Sequence, residues 1–113
     1  MIFPFPPYVH VPGRTPRHPE SLFRSVKASK DEDAVWAHAL ALFRAGFYWE
    51  CHEVLEPLWL RAREGSAERA YIQGVIQLAN ARLKRRMGRE KAAVRLDAIA
   101  AELFVEAGRT PPV

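Results

Sequence analysis

Residues 31–65 read DEDAVWAHALALFRAGFYWECHEVLEPLWLRAREG, and the spacing of their apolar side chains decides the fold class. Apolar residues recur every three to four positions on both sides of Gly46, which is the period of an amphipathic helix rather than a strand. The acidic residues at 31–33 suit the positive end of a helix dipole. The stretch therefore predicts two helices, from about Asp31 to Ala45 and from about Tyr48 to Arg63.

The same helical pattern continues to the end of the chain. Glycines at 65, 88 and 108 stand where helices commonly end. They predict a third helix from Ser66 to about Met87 and a fourth from about Arg89 to Ala107. Because the breaks are short, we expect a compact all-α bundle of four main helices over residues 31–113. The face of the fourth helix expected to be buried consists of Ala92, Leu96, Ile99, Ala100, Leu103 and Ala107.

The first thirty residues form a different segment, which we call the arm. Six of the nine prolines lie in its first nineteen residues, so the backbone there is expected to be extended or turning. Large apolar side chains at Phe3, Phe5 and Tyr8 are not typical of flexible linkers. They predict that this basic, proline-rich arm, residues 1–30, packs on the helical domain at 31–113.

Composition and charge narrow the classes of protein. Hydrophobic residues make up 49% and charged residues 27%, which is typical of a globular domain. No apolar run approaches the roughly 20 residues that a membrane span requires. The proline-broken start lacks the basic leader of a signal peptide, and a single cysteine favours the reducing cytoplasm. The net charge of +4 lies wholly in the arm.

The second predicted helix carries a histidine and a glutamate, two residue types that bind metal ions and transfer protons. His52 and Glu56 stand one turn apart on a mostly apolar face, within reach of each other or of a shared ion. Burying such groups unpaired is costly, so the pair requires a partner. Three interpretations remain open: a hydrogen-bonded structural pair, two ligands of a divalent metal ion, or an acid and a base in catalysis. Glu50 is predicted to face away and Glu53 to point sideways.

A metal ion would require a further ligand, because two protein ligands hold a metal weakly. We expect the third to be Glu53, or His10 or His18 folded back from the arm, with water completing the site. The order H-E-x-x-E differs from the H-E-x-x-H helix of zinc proteases, so no protease is predicted. Cys51 shares no face with a base and is interpreted as a buried, inert thiol. No reaction can be assigned, and an enzyme is not the favoured interpretation.

The third predicted helix offers the groups that would face this pair. Gln73 and Gln77 are one turn apart, and Gly74 beside them allows a close approach. Tyr48 and Trp59 flank the same face of the second helix as aromatic walls. The sequence therefore predicts a metal- or small-ligand-binding pocket between the two helices. Its metal ligands would be His52, Glu56 and Glu53, and its ligand-contacting residues Tyr48, Trp59, Gln73 and Gln77.

Residues 42–59, LFRAGFYWECHEVLEPLW, resemble a bacterial and archaeal family known as domain of unknown function 309. The family's hallmark, H-x-x-x-E-x-x-[W/Y], is matched by His52, Glu56 and Trp59. Residues 71–79, YIQGVIQLA, resemble its second helical block, and VPGRTPRHP at 11–19 is similar to a Pro-Gly-x-x-Pro segment of longer members. The resemblance implies a small all-helical protein, with metal binding by His52 and Glu56.

Two other classes of function remain as alternatives. A non-catalytic helical interaction module, or a homodimer, would use the His52–Glu56 pair only to fix the packing. A nucleic-acid binder would use the basic run at Arg82–Arg86, and we favour it least, since a solvated helix end explains that run. We expect a metal ion or a small molecule as the partner, and no membrane.

Overall fold

The computed structural model describes residues 3–113, and all the regular structure in this range is helical. The prediction of an all-α fold with four main helices and an N-terminal arm is confirmed. The arm also contains a short helix that was not predicted, because the arm was expected to be extended. Residues 1 and 2 of the arm lie outside the described range. The helices are α1 Arg24–Ala28, preceded by a 3-10 turn at Glu20–Phe23, α2 Glu32–Arg44, α3 Tyr48–Arg61, α4 Ala67–Arg86 and α5 Glu90–Ala107.

Local signals fix where the long helices begin and end. The Asp31 carboxylate accepts a hydrogen bond from the backbone N–H of Ala34 at the start of α2, and the Ser66 hydroxyl caps α4 in the same way. Gly108 ends α5 in the left-handed conformation, with φ of 68°. α3 ends at Arg61, two residues before the predicted end, because the next residue adopts an extended conformation.

The long helices pack in chain order, with α2 against α3, α3 against α4, and α4 against α5. The body measures 36 × 34 × 20 Å, so it is flat along one axis. α3 and α4 occupy the middle and contribute most of the fully buried large side chains, which are Leu42, Leu55, Ile72, Val54 and Val75. None of the helices within residues 3–113 combines the length and the apolar character needed to cross a bilayer.

The buried face of α5 agrees with the prediction only in part: Ala100 is buried and Ala92, Leu96, Leu103 and Ala107 are partly buried. Its buried residues are Ala93, Ala100 and Phe104, and Ile99 is 37% exposed, so the prediction that Ile99 belongs to the buried face is wrong. Phe104 packs over Gly74 in α4, where an added Cβ would lie 3.0 Å from its ring. The close approach expected at Gly74 is therefore made by an aromatic ring and not by a backbone.

The arm lies against α2 and α3. Phe3, Val11, Phe23 and Val26 are buried with the helical core. The rings of Phe3 and Phe5 contact the imidazole of His38 in α2, with ring centroids 5.4 and 5.5 Å away. The arm therefore covers a surface of the helical domain that would be exposed to solvent without it.

Candidate functional site

A cleft of about 240 Å³ lies between α3 and α4. α3 continues through Pro57, so His52, Glu56 and Trp59 share one helix and stand on one side of it at intervals of four and three residues. Gln73, Gln77 and Asn80 stand on the facing side of α4 at the same spacing. The lining residues are His52, Glu56, Trp59, Gln73, Ile76, Gln77 and Asn80.

The orientation of Asn80 determines which nitrogen of His52 carries a hydrogen. The Asn80 side-chain nitrogen donates to the Gln77 Oε1 at 3.5 Å, which leaves its Oδ1 3.1 Å from Nδ1 of His52. An amide oxygen only accepts, so Nδ1 of His52 is the donor in this contact. The lone pair of the neutral imidazole therefore lies on Nε2, the atom that faces Glu56.

Nε2 of His52 lies 3.3 Å from Oε2 of Glu56. With Nδ1 protonated, both atoms of this contact are acceptors, so a bound cation, or a proton on Nε2, would offset their repulsion. The side chains remain 30% and 49% exposed, which means that the pair is reached from solvent. The arrangement can hold a cation directly, and it also allows an ordinary imidazolium–carboxylate ion pair.

The cleft collects most of the residues expected there. His52, Glu56, Trp59, Gln73 and Gln77 all line it. Asn80 and Ile76 also line the cleft and were not predicted, although Asn80 continues the polar row of α4 by one further step of three residues.

Two of the expected site residues lie elsewhere. The Glu53 carboxylate is 3.2 Å from Nζ of Lys27 in the arm, so it is not brought to Glu56 as a third ligand. Tyr48 is absent from the cleft lining. Its ring packs against Phe43 and beneath the guanidinium of Arg86.

A metal ion in the cleft would have only the side chains that line the cleft as protein ligands. Within residues 3–113 no group of three or more His, Cys, Asp and Glu side chains is placed to hold a metal ion. His52 and Glu56 carry the kinds of donor atom that divalent transition metals use, an imidazole nitrogen and a carboxylate oxygen. Metal-bound histidines typically donate their other ring N–H to an oxygen, as Nδ1 of His52 does to Asn80, and the two glutamine amides that line the cleft carry oxygen ligands.

A second histidine–carboxylate pair is buried on the other side of α3. Oε2 of Glu50 accepts a hydrogen bond from the backbone N–H of His10 at 2.8 Å and lies 2.7 Å from Nε2 of His18. The side chains of Glu50 and His18 are both fully buried. The prediction that Glu50 faces away from the core is therefore wrong. His10 and His18 do fold back onto α3, as expected, but they reach Glu50 and not His52.

This buried cluster is built to hold the arm in place. The hydroxyl of Thr15 accepts a hydrogen bond from the backbone N–H of Val11 and lies 2.9 Å from Nδ1 of His10, which fixes the turn between them. Trp49 packs edge-on against His10, with ring centroids 4.6 Å apart. Oε1 of Glu50 and Nδ1 of His18 have no hydrogen-bond partner in the described part of the chain. The side chains of Glu50 and His18 are fully buried, so solvent does not reach this cluster.

The Cys51 thiol is free and buried, as expected of an inert cysteine. Its side chain is fully buried in α3. Burial, and to a smaller extent the neighbouring Glu50 carboxylate, raises the pKa of the thiol to about 12. Because the thiolate is the nucleophilic form, Cys51 stays protonated and unreactive at neutral pH.

The basic run at the end of α4 is largely occupied by contacts within the chain. Arg85 forms ion pairs with Glu90 and Asp97 in α5. Arg86 donates to the backbone oxygen of Gly46. Arg82 lies over the ring of Phe43 in α2. These guanidinium groups tie α4 to its neighbours and do not form a free basic patch.

A family model, "Domain of unknown function (DUF309)", matches residues 36–96, just over half of the chain. The chain belongs to this family. The segment that matches DUF309 contains every residue that lines the cleft, from His52 to Asn80, and it also contains Glu50. The arm, with His10 and His18, and the second half of α5 lie outside it. The two histidine–carboxylate pairs therefore differ in that only the cleft pair lies entirely within the family segment.

A solved structure also matches the chain. It is the crystal structure of a conserved hypothetical protein from Thermus thermophilus, with 40% sequence identity over 65% of this chain and 95% of that chain, at a TM-score of 0.45. No match was found among curated proteins.

Proposed function

We propose that the protein binds a divalent transition-metal ion in the cleft between α3 and α4, through Nε2 of His52 and the carboxylate of Glu56. The observation that supports this most directly is the 3.3 Å separation of two acceptor atoms, with the hydrogen of His52 directed to Asn80. Imidazole nitrogen and carboxylate oxygen together suit ions such as Zn²⁺ and Ni²⁺.

The remaining coordination positions would be filled by weaker ligands. The amide oxygens of Gln73 and Gln77 border the same space, and water reaches it from the open side. A site with two strong protein ligands binds loosely and leaves positions for an outside molecule. Trp59 and Ile76 supply apolar walls, so a small polar molecule with an apolar part fits beside the ion.

The second candidate is a helical interaction module in which the pair has no ligand. A proton shared between His52 and Glu56 explains the same 3.3 Å contact, and the pair then only links two turns of α3. This candidate and the metal site make opposite predictions for ion binding by the purified protein.

The experiment is equilibrium dialysis against Zn²⁺ and Ni²⁺, followed by elemental analysis of the protein. We expect one ion per chain, with affinity reduced about tenfold or more by His52→Ala and by Glu56→Gln, and by a similar factor for Asn80→Ala, which positions the imidazole. The matched control is Glu53→Gln, the same chemical change at a carboxylate that faces Lys27 and not the cleft.

Two results would overturn the proposal in favour of the interaction module. One is wild-type protein that binds neither ion. The other is binding that is unaffected by His52→Ala, because the ion would then lie elsewhere.

A further inference from the structure

The outward side of α5 carries an apolar row, which we call the α5 stripe: Val94, Ala98, Ala101 and Val105. All four residues are exposed, and the valines keep 55% and 81% of their accessible surface. α5 packs against α4 through another side, that of Ala93, Ala100 and Phe104. No element within residues 3–113 covers the stripe.

The residues of the α5 stripe follow one another at intervals of four, three and four. This is the spacing of the a and d positions that form the seam of a coiled coil. At 1.5 Å per residue the stripe runs about 17 Å along the helix axis. Its length and spacing fit one further helix lying alongside α5.

We infer that the α5 stripe binds the α5 stripe of a second copy of this chain, with the two helices antiparallel about a two-fold axis. In this register Val94 lies opposite Val105 of the partner subunit, and Ala98 lies opposite Ala101 of the partner subunit. Alanines at the centre allow the helices to approach closely, and a valine pair closes each end. The surface is therefore complementary to itself, as a two-fold interface requires.

The charges beside the stripe select an antiparallel copy as the occupant. The first half of α5 presents Lys91 and Arg95, and the second half presents Glu102 and Glu106, all exposed. Within residues 3–113 none of these four side chains forms an ion pair. Antiparallel pairing brings Lys91 and Arg95 of each helix toward Glu102 and Glu106 of the partner subunit, while Glu90 and Asp97 are already paired with Arg85 of their own chain.

The same charges are unfavourable in a single α5. Glu90 in the first turn of α5 suits the helix dipole, whereas Lys91 beside it and Glu106 in the last turn oppose it, and the last turn has no basic residue. Lys91 and Arg95, and likewise Glu102 and Glu106, are like charges four residues apart, which also destabilises a helix. An arrangement that disfavours the isolated helix is explained by the pairs it makes with a second copy: Arg95 with Glu102 of the partner subunit, and the reciprocal pair.

A shallow apolar depression of about 430 Å³ continues the stripe at its C-terminal end, where Ala101, Phe104, Val105 and Pro111 line it. Val94 of the partner subunit falls at its mouth. Standard protein–protein interfaces bury at least about 1,200 Å² of surface, and one pair of helices buries less. The dimer is therefore weak, with a dissociation constant in the micromolar range. It also weakens with salt, because its charge pairs are exposed.

The test is sedimentation equilibrium of the full chain and three variants at low and high salt. Arg95→Glu and Glu102→Arg each place like charges across the interface, and we expect each to weaken the dimer about tenfold or more. The double variant Arg95→Glu/Glu102→Arg restores the opposite-charge pairs and is expected to dimerise as the wild type does. A reversal at Arg24, an exposed residue of α1, which packs against α3, serves as the control: Arg24→Glu is expected to leave the dimer unchanged.

Thermal unfolding of dilute protein separates lost dimerisation from misfolding. Arg95→Glu replaces a like-charged pair with Lys91, four residues away, by an opposite-charged one, so the melting temperature of its monomer stays equal to the wild-type value or rises. Wild-type protein that remains monomeric at about 1 mM would overturn the inference, because a dimer with a micromolar dissociation constant is almost fully formed at that concentration. Single variants that dimerise normally, or a double variant that stays monomeric, would also overturn it.

Discussion

The two histidine–carboxylate pairs of α3 differ chiefly in burial. Glu50 and His52 are two residues apart, so they stand on nearly opposite sides of the helix. The Glu50–His18 pair is fully buried and fastens the arm, whereas the His52–Glu56 pair is half-exposed in an open cleft. Breaking a buried pair leaves an uncompensated charge, and breaking an exposed pair returns both groups to water. The two pairs should therefore respond differently to the same substitution.

We expect His18→Ala to lower the free energy of unfolding by about 3 kcal/mol, because the carboxylate of Glu50 keeps only the backbone N–H of His10 as a partner. His52→Ala, the matched change at the exposed pair, should lower it by about 1 kcal/mol or less. Urea unfolding of both variants at pH 7 measures the difference. Equal losses would contradict the assignment of one pair to stability and the other to binding.

Among the helices, α4 is the one on which the others depend, since both α3 and α5 pack against it. Gly74 lies in its middle, where glycine is about 1 kcal/mol less favourable than alanine. The ring of Phe104 explains the glycine, because it occupies the space that a Cβ would take. The close approach of α4 and α5 thus depends on a missing side chain.

Gly74→Ala should therefore destabilise the fold by about 1 kcal/mol, because overpacking outweighs the gain in helix propensity. In a Phe104→Leu background the smaller side chain relieves the contact, and the same Gly74→Ala change should stabilise the protein. Thermal unfolding of the four proteins in this cycle measures both effects. A higher melting temperature for Gly74→Ala in the wild-type background would show that Phe104 does not constrain this position.

The sequence predicted what depends on neighbouring positions within a helix. The helices themselves, the cap at Ser66 and the His52–Glu56 pair all follow from periodicity and spacing. The burial of Glu50 did not, because the groups that bury it come from residues 10 and 18 of the arm, more than thirty positions away. On α5 the prediction included the exposed Ile99 and omitted the buried Ala93 and Phe104, because apolar residues surround most of that helix and periodicity alone does not select the exact side that packs.

Considered as a whole, the molecule is a helical domain closed on one side by its arm. α3 lies between the two, with the arm cluster on one side and the cleft against α4 on the other. The rings of Phe3 and Phe5 attach the start of the arm to His38 in α2. Burial lowers the pKa of His38 below its ordinary value, since an imidazolium would lose water beneath these rings.

This shift predicts how stability depends on pH. As the pH falls through about 6.5, unfolded chains protonate His38 while the folded chain resists, so the unfolded state binds more protons and stability decreases. The decrease begins near pH 6.5 and levels off below the lowered pKa. We expect His38→Gln to lose less stability than the wild type between pH 7.5 and 5.5 in urea unfolding. Parallel stability curves for the two proteins would count against this role of His38.

The most direct test of the central claim is a nitrogen NMR titration of the His52 imidazole with Zn²⁺ at neutral pH, with the Glu56→Gln variant measured alongside. The account predicts that Nδ1 stays protonated against Asn80 while the Nε2 resonance moves to a metal-bound position, and that Glu56→Gln requires a higher Zn²⁺ concentration for the same change. A spectrum in which Nε2 keeps its own hydrogen at every Zn²⁺ concentration would contradict it.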